Sequence, residues 1–434
     1  MLNRRTLLSA SAAIASTSLA GSQSSSAASR RFPRGFLWGA STAGHQVEGN
    51  DTNSDTWLLE NVTPTTYSEP VIDGCNSFEL WRKDLDLVKK IGLNCYRFSI
   101  EWSRIEPEPG RFSIAMLDYY KGIIDECRAR GIAPVITFNH FAVPLWFAVA
   151  GSWINPQAPS LFARFCERAA RHLGAGIAYA LTLNEPNGAK LGAYFAPPAA
   201  LAPEQAMMDA AGRRCGSENF GGGATFAHVA QKQDIMLSAH RAGFDAIKSV
   251  RPDLPVGFAL AIADDQKDGP NSIRDARRQD FYGAWLETAK LDDFIAVQNY
   301  VTFRWTATGV APPAPGALLN PEGQEVTPAS LANAVSYAHA KSGKPVLVTE
   351  HGLGTPDDRL RCTLIPAALA ELQRAIVSGV PVIGYCHWSL MDNFEWGQGY
   401  KTKFGLASVD RLTFERRLKP SAAVLRSIAL QNAV

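Results

Sequence analysis

Two glutamates, Glu185 and Glu350, each follow a short run of apolar residues at the point where a buried strand would end. Two carboxylates that face each other can cleave a glycosidic bond, one as proton donor and the other as nucleophile or base. This division requires one carboxyl group to be protonated and the other ionised, so their surroundings must differ. A separation of roughly 5–5.5 Å suits retention of configuration and roughly 6.5–9.5 Å suits inversion. The two residues alone leave both outcomes open.

Other polar or aromatic side chains occupy the same place relative to apolar runs. If the runs are parallel strands of one barrel, their carboxyl ends meet at one rim, where active sites of such barrels lie. These side chains are therefore expected to converge with the two glutamates. They are His45, Gln46, Arg97, Asn139, His140, Asn184, Gln298, Asn299, Tyr300, His351 and Trp388.

Eight apolar runs predict eight strands that are buried on both faces, and helical stretches separate them. One such stretch has Phe78, Trp81, Leu85, Val88 and Ile91 at spacings of three or four, which is one face of a helix. Strand and helix alternating eight times predict an α/β fold, a single (β/α)₈ TIM barrel. The predicted strands are residues 35–41, 94–100, 133–139, 178–184, 255–261, 294–300, 345–350 and 381–388.

An open, doubly wound sheet is the competing architecture. It would usually carry a glycine-rich phosphate loop after an early strand, and residues 35–39 lack that glycine spacing. Two long connections rich in Pro and Gly, residues 196–223 and 306–328, follow strands. On a barrel both would lie at the carboxyl face, so both are candidate walls of a cleft.

Seven sequence motifs follow one another along the chain: FLWGA at 36–40, QVEG at 46–49, YRFSIEWSRI at 96–105, LNEP at 183–186, TEHG at 349–352, HWSLMDNFEW at 387–396 and RLKPS at 417–421. In this order they resemble glycoside hydrolase family 1, the β-glucosidase and β-galactosidase family, over almost all of residues 32–425. The stretch NHFAVPLW, residues 139–146, resembles the archaeal branch of that family.

The resemblance implies a role for each matching residue. Glu350 would be the nucleophile and Glu185 the acid/base, with Arg97 and Tyr300 donating hydrogen bonds to Glu350. Asn184 would bind the sugar 2-hydroxyl, and Trp388 would form a platform under the ring. The other hydroxyls would be bound by Gln46, His140, Glu395 and Trp396. Position alone suggests that Asn299 orients Tyr300 or a nearby loop.

The implied function is a retaining exo-β-glycosidase, β-glucosidase-like, acting on β-glycosides that are small molecules or oligosaccharides. A transglycosylase would use the same site, and a non-catalytic sugar-binding barrel is the alternative from another class. The chain departs from the family by having His351 where Asn is usual, and this histidine is expected to titrate near neutrality. No HExxH pattern or acidic calcium loop occurs, so no metal and no cofactor is expected.

The first 30 residues have the order of an export signal. Arg4 and Arg5 precede an apolar run, and small residues at 26–28 offer a cleavage site. The paired arginines resemble a twin-arginine signal, which predicts a periplasmic or secreted protein whose catalytic domain is residues 31–434. No later run is long enough to span a membrane.

The balance of charge argues against one class of partner. The chain has 43 Lys+Arg against 41 Asp+Glu and no long basic run, so no nucleic-acid partner is expected. The seven cysteines show no metal-binding or redox spacing, and most are expected to be buried small hydrophobic residues. The sequence leaves the oligomeric state open.

Overall fold

The computed structural model describes residues 31–434 except 197, 224, 226 and 227, and at its centre eight parallel strands close into a barrel. Each strand pairs with its neighbours in the chain, and the last pairs with the first. The predicted (β/α)₈ fold is confirmed, with strand bounds within two residues of the predicted ones. The strands, β1 to β8 in order, are Leu37–Ser41, Cys95–Ser99, Ala133–Asn139, Tyr179–Asn184, Val256–Ala261, Ile295–Asn299, Val346–His351 and Val382–Trp388.

Helices pack around the outside of the barrel. The predicted apolar face of the helix Ser77–Lys90 is confirmed, because Leu85 and Val88 are fully buried. The other long helices are Ile114–Ala129, Ala158–Leu173, Pro198–Cys215, Val229–Val250, Ser330–Ser342, Asp358–Val377 and Pro420–Gln431. The short ones are Gly44–Val47, Asp55–Glu60, Trp102–Ile105, Leu145–Val149, Gly188–Phe195, Arg274–Arg278 and Ala284–Ala289.

Apolar side chains from the strands fill the part of the barrel interior nearer the amino ends of the strands. They form a buried cluster that includes Cys95, Val135, Leu181, Ala259, Ala296, Leu347 and Cys386. Residues two apart on a strand share a face, so the next inward-facing layer lies two residues further along. That layer includes Arg97, Thr137, Gln298 and Trp388, which are buried and mostly polar. The barrel interior therefore changes from apolar to polar toward the carboxyl ends of the strands.

The two long connections have different roles, which corrects one expectation. Residues 306–328 contribute side chains to the cavity described below, whereas residues 196–223 contribute none among those described. Most of residues 196–223 form the helix Pro198–Cys215, whose Met207 and Met208 pack on Leu58 and Leu59. Its alanines and other good helix formers outweigh Pro198, which begins the helix where proline is tolerated, and Pro203, which lies inside the helix.

Two small sheets lie outside the barrel, one joining Asp264–Lys267 to Thr302–Trp305 and the other joining Ala407–Val409 to Arg416–Leu418. Five of the seven cysteines are buried, as expected, and the other two are half-buried. In the described part of the chain, no helix is both long and apolar enough to cross a membrane. The predicted export signal, residues 1–30, lies outside the described residues.

Candidate active site

The carboxyl ends of the strands surround a cavity of about 430 Å³. Arg97 lies fully buried beneath this cavity, and Asn299 is buried beside it. The remaining predicted site residues all line it: Gln46, His140, Asn184, Glu185, Tyr300, Glu350, Trp388, Glu395 and Trp396. Within the described ranges, no three His, Cys, Asp or Glu side chains are grouped so that they could hold a metal ion.

Three donors hold the carboxylate of Glu350, at the end of β7. The Tyr300 hydroxyl donates to Oε2 at 2.5 Å, and the Gln298 amide donates to Oε1 at 2.9 Å. The Arg97 guanidinium also donates to Oε1 and forms a buried ion pair with Glu350. Charge-assisted hydrogen bonds of this kind favour the ionised carboxylate and fix its direction. Glu350 is thus positioned with both oxygens held.

Glu185 has the opposite environment. Its carboxyl group accepts no hydrogen bond from any described residue, and its side chain faces the cavity. Burial, and secondarily the negative charge of Glu350, raise the pKa of Glu185 to about 8, although Arg97 opposes the rise. A carboxyl group with this pKa is protonated at neutral pH and can act as a general acid.

Burial also raises the pKa of Glu350, but the positive charge of Arg97 and the hydrogen bonds from Tyr300 and Arg97 oppose that effect. The two carboxyl groups differ in what opposes burial: Glu350 has direct donors, whereas Glu185 has only the more distant charge of Arg97. The first proton to leave the pair therefore leaves from Glu350. This is the separation of roles that paired carboxylates need.

The backbone at Glu185 is in an unusual conformation, with φ of +42°. Its N–H donates to the carbonyl of Ala259 on β5 at 2.9 Å, which ties the residue to the barrel rim. A non-glycine residue with positive φ is strained by about 1–3 kcal/mol, and such residues are concentrated at functional sites. Here the conformation accompanies a side chain that lines the cavity.

Asn184 is oriented by a hydrogen-bond network at the floor of the cavity. Its Oδ1 accepts from Arg97 Nη2 at 2.5 Å and from Gln298 Nε2 at 2.7 Å. Because the oxygen is used in this way, the Nδ2 group is directed toward His140, 3.3 Å from its Nε2. Burial and the nearby Arg97 lower the pKa of His140 well below its usual value, so this imidazole is neutral.

The inner end of the cavity is closed by polar and aromatic side chains. The Gln46 amide nitrogen donates to Asn393 Oδ1 at 2.9 Å and to the Phe394 carbonyl at 2.7 Å, while its buried Oε1 has no partner among the described residues. Trp388 Nε1 donates to Glu395 Oε1 at 3.3 Å, and the Trp388 ring stacks on His140 with centroids 5.8 Å apart. Burial raises the pKa of Glu395 well above its usual value. This end offers both donors and acceptors to a polar ligand.

Gln298 and Asn299 are neighbours on β6, and their side chains point to opposite faces of the strand. Asn299 donates to the Ile262 carbonyl at 2.9 Å and accepts from Ser330 Oγ at 2.8 Å, so it holds a loop that lines the cavity and the first residue of the helix Ser330–Ser342. Gln298 points inward and bridges Asn184 and Glu350. Sequence reasoning placed Gln298 at a strand end but gave it no role. The period-2 alternation from Tyr300 could have assigned it to the same face.

His351 does not behave as expected. It is fully surrounded by protein, with Nδ1 3.0 Å from the Tyr385 hydroxyl, and burial lowers its pKa to about 4. The expectation of a titration near neutrality is therefore wrong, because it considered the residue type without its burial. His351 points away from the cavity that Glu350 lines.

The pH dependence of kcat/KM follows from these groups. Activity is expected to fall below the pKa of Glu350, where the nucleophile is protonated, and above about pH 8, where Glu185 loses its proton. His351→Asn should leave both limbs where they are, since this imidazole is already neutral from about pH 6 upward. Measuring kcat/KM for both proteins across the pH range tests this. A basic limb shifted by more than about one unit in the variant would contradict it.

Comparison with known proteins agrees with this geometry. A family model described as "Glycosyl hydrolase family 1" matches residues 28–303 and 320–434. The structure is similar to the crystal structure of the β-glycosidase BGL167, with a TM-score of 0.88 and 41% identity over 93% of this chain and 98% of that one.

Two curated relatives are similar over nearly their whole lengths. The chain is 29% identical to a β-glucosidase from Agrobacterium sp., covering 92% of this chain and 95% of the relative. It is 26% identical to β-glucosidase A from Thermotoga maritima, covering 93% and 99%. The match to the family model spans the barrel and both glutamate motifs. The chain therefore belongs to glycosyl hydrolase family 1.

Proposed function

We propose that this protein is a retaining exo-β-glycosidase, β-glucosidase-like, that hydrolyses terminal non-reducing β-D-glycosides. The observation that carries the proposal is the unequal pair of carboxyl groups in one cavity. Glu350 is held by Arg97, Gln298 and Tyr300, and Glu185 is without a hydrogen-bond partner among the described residues and has a pKa of about 8. The closed inner end of the cavity supports cleavage from a chain end.

In the first step, a carboxylate oxygen of Glu350 forms a bond to the anomeric carbon as the bond from that carbon to the leaving oxygen breaks. The leaving oxygen takes the proton of Glu185. In the second step, the Glu185 carboxylate removes a proton from water, whose oxygen displaces Glu350 from the anomeric carbon. Two inversions give a product with the original configuration, and both carboxyl groups return to their starting states.

The sugar is assigned to the inner end of the cavity. Asn184 Nδ2 is oriented by Arg97 and Gln298 to donate to the 2-hydroxyl, and the unpartnered Gln46 Oε1 would accept from another hydroxyl. Glu395, His140 and Trp396 provide further polar contacts, and the face of Trp388 packs under the pyranose ring. A bond to the 2-hydroxyl that strengthens in the transition state contributes several kcal/mol to glycoside hydrolysis.

A panel of aryl β-glycosides with glucose, galactose and fucose tests the proposal. Release of the aryl alcohol together with free sugar supports hydrolysis, and glucosides and galactosides are the first choices because relatives of both kinds are known. Predominant transfer of the sugar to an acceptor would instead identify a transglycosylase. No turnover with any member of the panel, together with measurable binding of the sugar, would identify a sugar-binding barrel.

We also propose that the protein is exported by the twin-arginine route to the periplasm or beyond. The support is the Arg4-Arg5 pair ahead of an apolar run and a small-residue site. Replacing both arginines with lysine is expected to retain the folded protein in the cytoplasm, as measured by cell fractionation and activity. Unchanged export of the double variant would favour an ordinary secretory signal.

A further inference from the structure

Besides the polar groups assigned to the sugar, the cavity is lined by a set of apolar side chains. These side chains offer no hydrogen bond to a sugar. We call this set the apolar wall: Phe141, Leu191, Phe195, Val301, Phe303 and Phe404, all of which line the cavity.

The apolar wall starts at Glu185, the residue that would protonate the leaving oxygen. A β-carbon on Gly188 would lie 3.7 Å from the Glu185 β-carbon and 3.9 Å from the Phe141 ring. Gly188 is therefore adjacent to both Glu185 and Phe141. Gly188 begins the helix Gly188–Phe195, and Leu191 and Phe195 follow at spacings of three and four on one face. The wall therefore extends outward from the site of bond cleavage, where the leaving group must lie.

Phe195 is partly exposed although it packs against buried aromatic rings. Its ring stacks on Phe303 with centroids 4.6 Å apart and lies near Trp305 at 6.2 Å, yet 37% of the residue is accessible. A partly exposed phenylalanine that lines a cavity gains free energy when a ligand covers its open face.

Three polar residues that line the same cavity already have hydrogen-bond partners. Asn320 Nδ2 donates to Gln324 Oε1 at 2.8 Å, and the Gln324 backbone N–H donates to Asn320 Oδ1 at 2.8 Å. Glu322 accepts a hydrogen bond from Gln398. Both amide oxygens of Asn320 and Gln324 are thus already used. This contrasts with the inner end, where Gln46 Oε1 is buried without a partner in the described chain.

From these observations we infer that the preferred leaving group is a rigid, apolar alcohol or phenol rather than a second sugar. The inference rests on the proposed function and specifies its substrate class. A glucosyl leaving group would lose hydration of several hydroxyls against the apolar wall with few partners in return. An apolar ring would bury its surface there without that loss.

Three substrates with aliphatic leaving groups test the inference: methyl β-D-glucoside, cyclohexyl β-D-glucoside and cellobiose. We expect kcat/KM for the cyclohexyl glucoside to exceed both others by about 10-fold. The leaving hydroxyl of cellobiose is the more acidic one, so intrinsic reactivity favours cellobiose and acts against the expected result. Equal or higher kcat/KM for cellobiose would overturn the inference.

Single substitutions in the apolar wall test whether its residues contact the leaving group. Leu191→Ala and Phe195→Ala should each lower kcat/KM for the cyclohexyl glucoside by roughly 5- to 20-fold, and for the methyl glucoside by less than about 2-fold. Leu291→Ala, at a site 69% exposed and outside the cavity, is the matched control and should change neither. Equal losses on both substrates would show that the wall does not contact the leaving group. Failure of the proposed function is separate, since no aryl β-glycoside of the panel would then be cleaved.

Discussion

Replacing Glu350 by glycine is expected to lower kcat for an aryl β-glucoside by at least about 10⁴-fold, which corresponds to ~5.4 kcal/mol of activation free energy. The variant lacks the oxygen that would bond to the anomeric carbon, so no glycosyl-enzyme can form. It also leaves the buried Arg97 without its ion-pair partner. Azide can enter the vacated space and attack the same face of the sugar, so partial recovery with an α-glycosyl azide as product is expected.

Two further measurements test the role of Glu350. A mechanism-based fluorosugar should label Glu350 in the unaltered protein, as identified by peptide mass spectrometry. Glu108→Gly, which removes an exposed carboxylate from a loop, is the control and should retain full activity. Labelling of Glu185, or recovery as the β-glycosyl azide, would show that the two glutamates have the reverse roles.

Glu185→Gln should produce a loss that depends on the leaving group. General acid catalysis contributes roughly 10²–10⁴-fold, so glucosides of poorly acidic alcohols should lose kcat/KM by that amount. A dinitrophenyl leaving group needs no proton, so its glucoside should keep most of its kcat/KM while kcat falls, because no base then activates water for the second step. The decline above about pH 8 should disappear with the group that causes it.

Steady-state kinetics of the two glucoside classes across the pH range check this expectation. Gln205→Ala, on the outer helix Pro198–Cys215, alters an amide remote from the cavity and serves as the control. Equal losses for both leaving groups, with the basic limb still present, would show that another residue donates the proton.

The main parts of the fold were predictable because burial in a parallel barrel requires continuous apolar runs. Those runs located eight strands, and the residues after them included Glu185 and Glu350. The helix Pro198–Cys215 was missed because its prolines and neighbouring glycines were weighted above its helix-forming residues. Its packing on Leu58 and Leu59 depends on distant parts of the chain and leaves no local signal.

The details of the site depend on geometry that the sequence does not express. The function of Gln298 required knowing that it bridges Asn184 and Glu350, which are on two other strands. The pKa of His351 depended on complete burial, which its position after a catalytic glutamate did not reveal. The preference for an apolar leaving group could be inferred only because the structure places Leu191 and Phe195 in the same cavity as Glu185.

The stereochemistry of hydrolysis tests the central claim most directly. Proton NMR of the first sugar released from an aryl β-glucoside, recorded before mutarotation, distinguishes the two anomers. The double displacement through Glu350 predicts β-glucose as the initial product. Initial α-glucose would mean that water attacks the anomeric carbon directly, and it would contradict the assignment of Glu350 as a nucleophile.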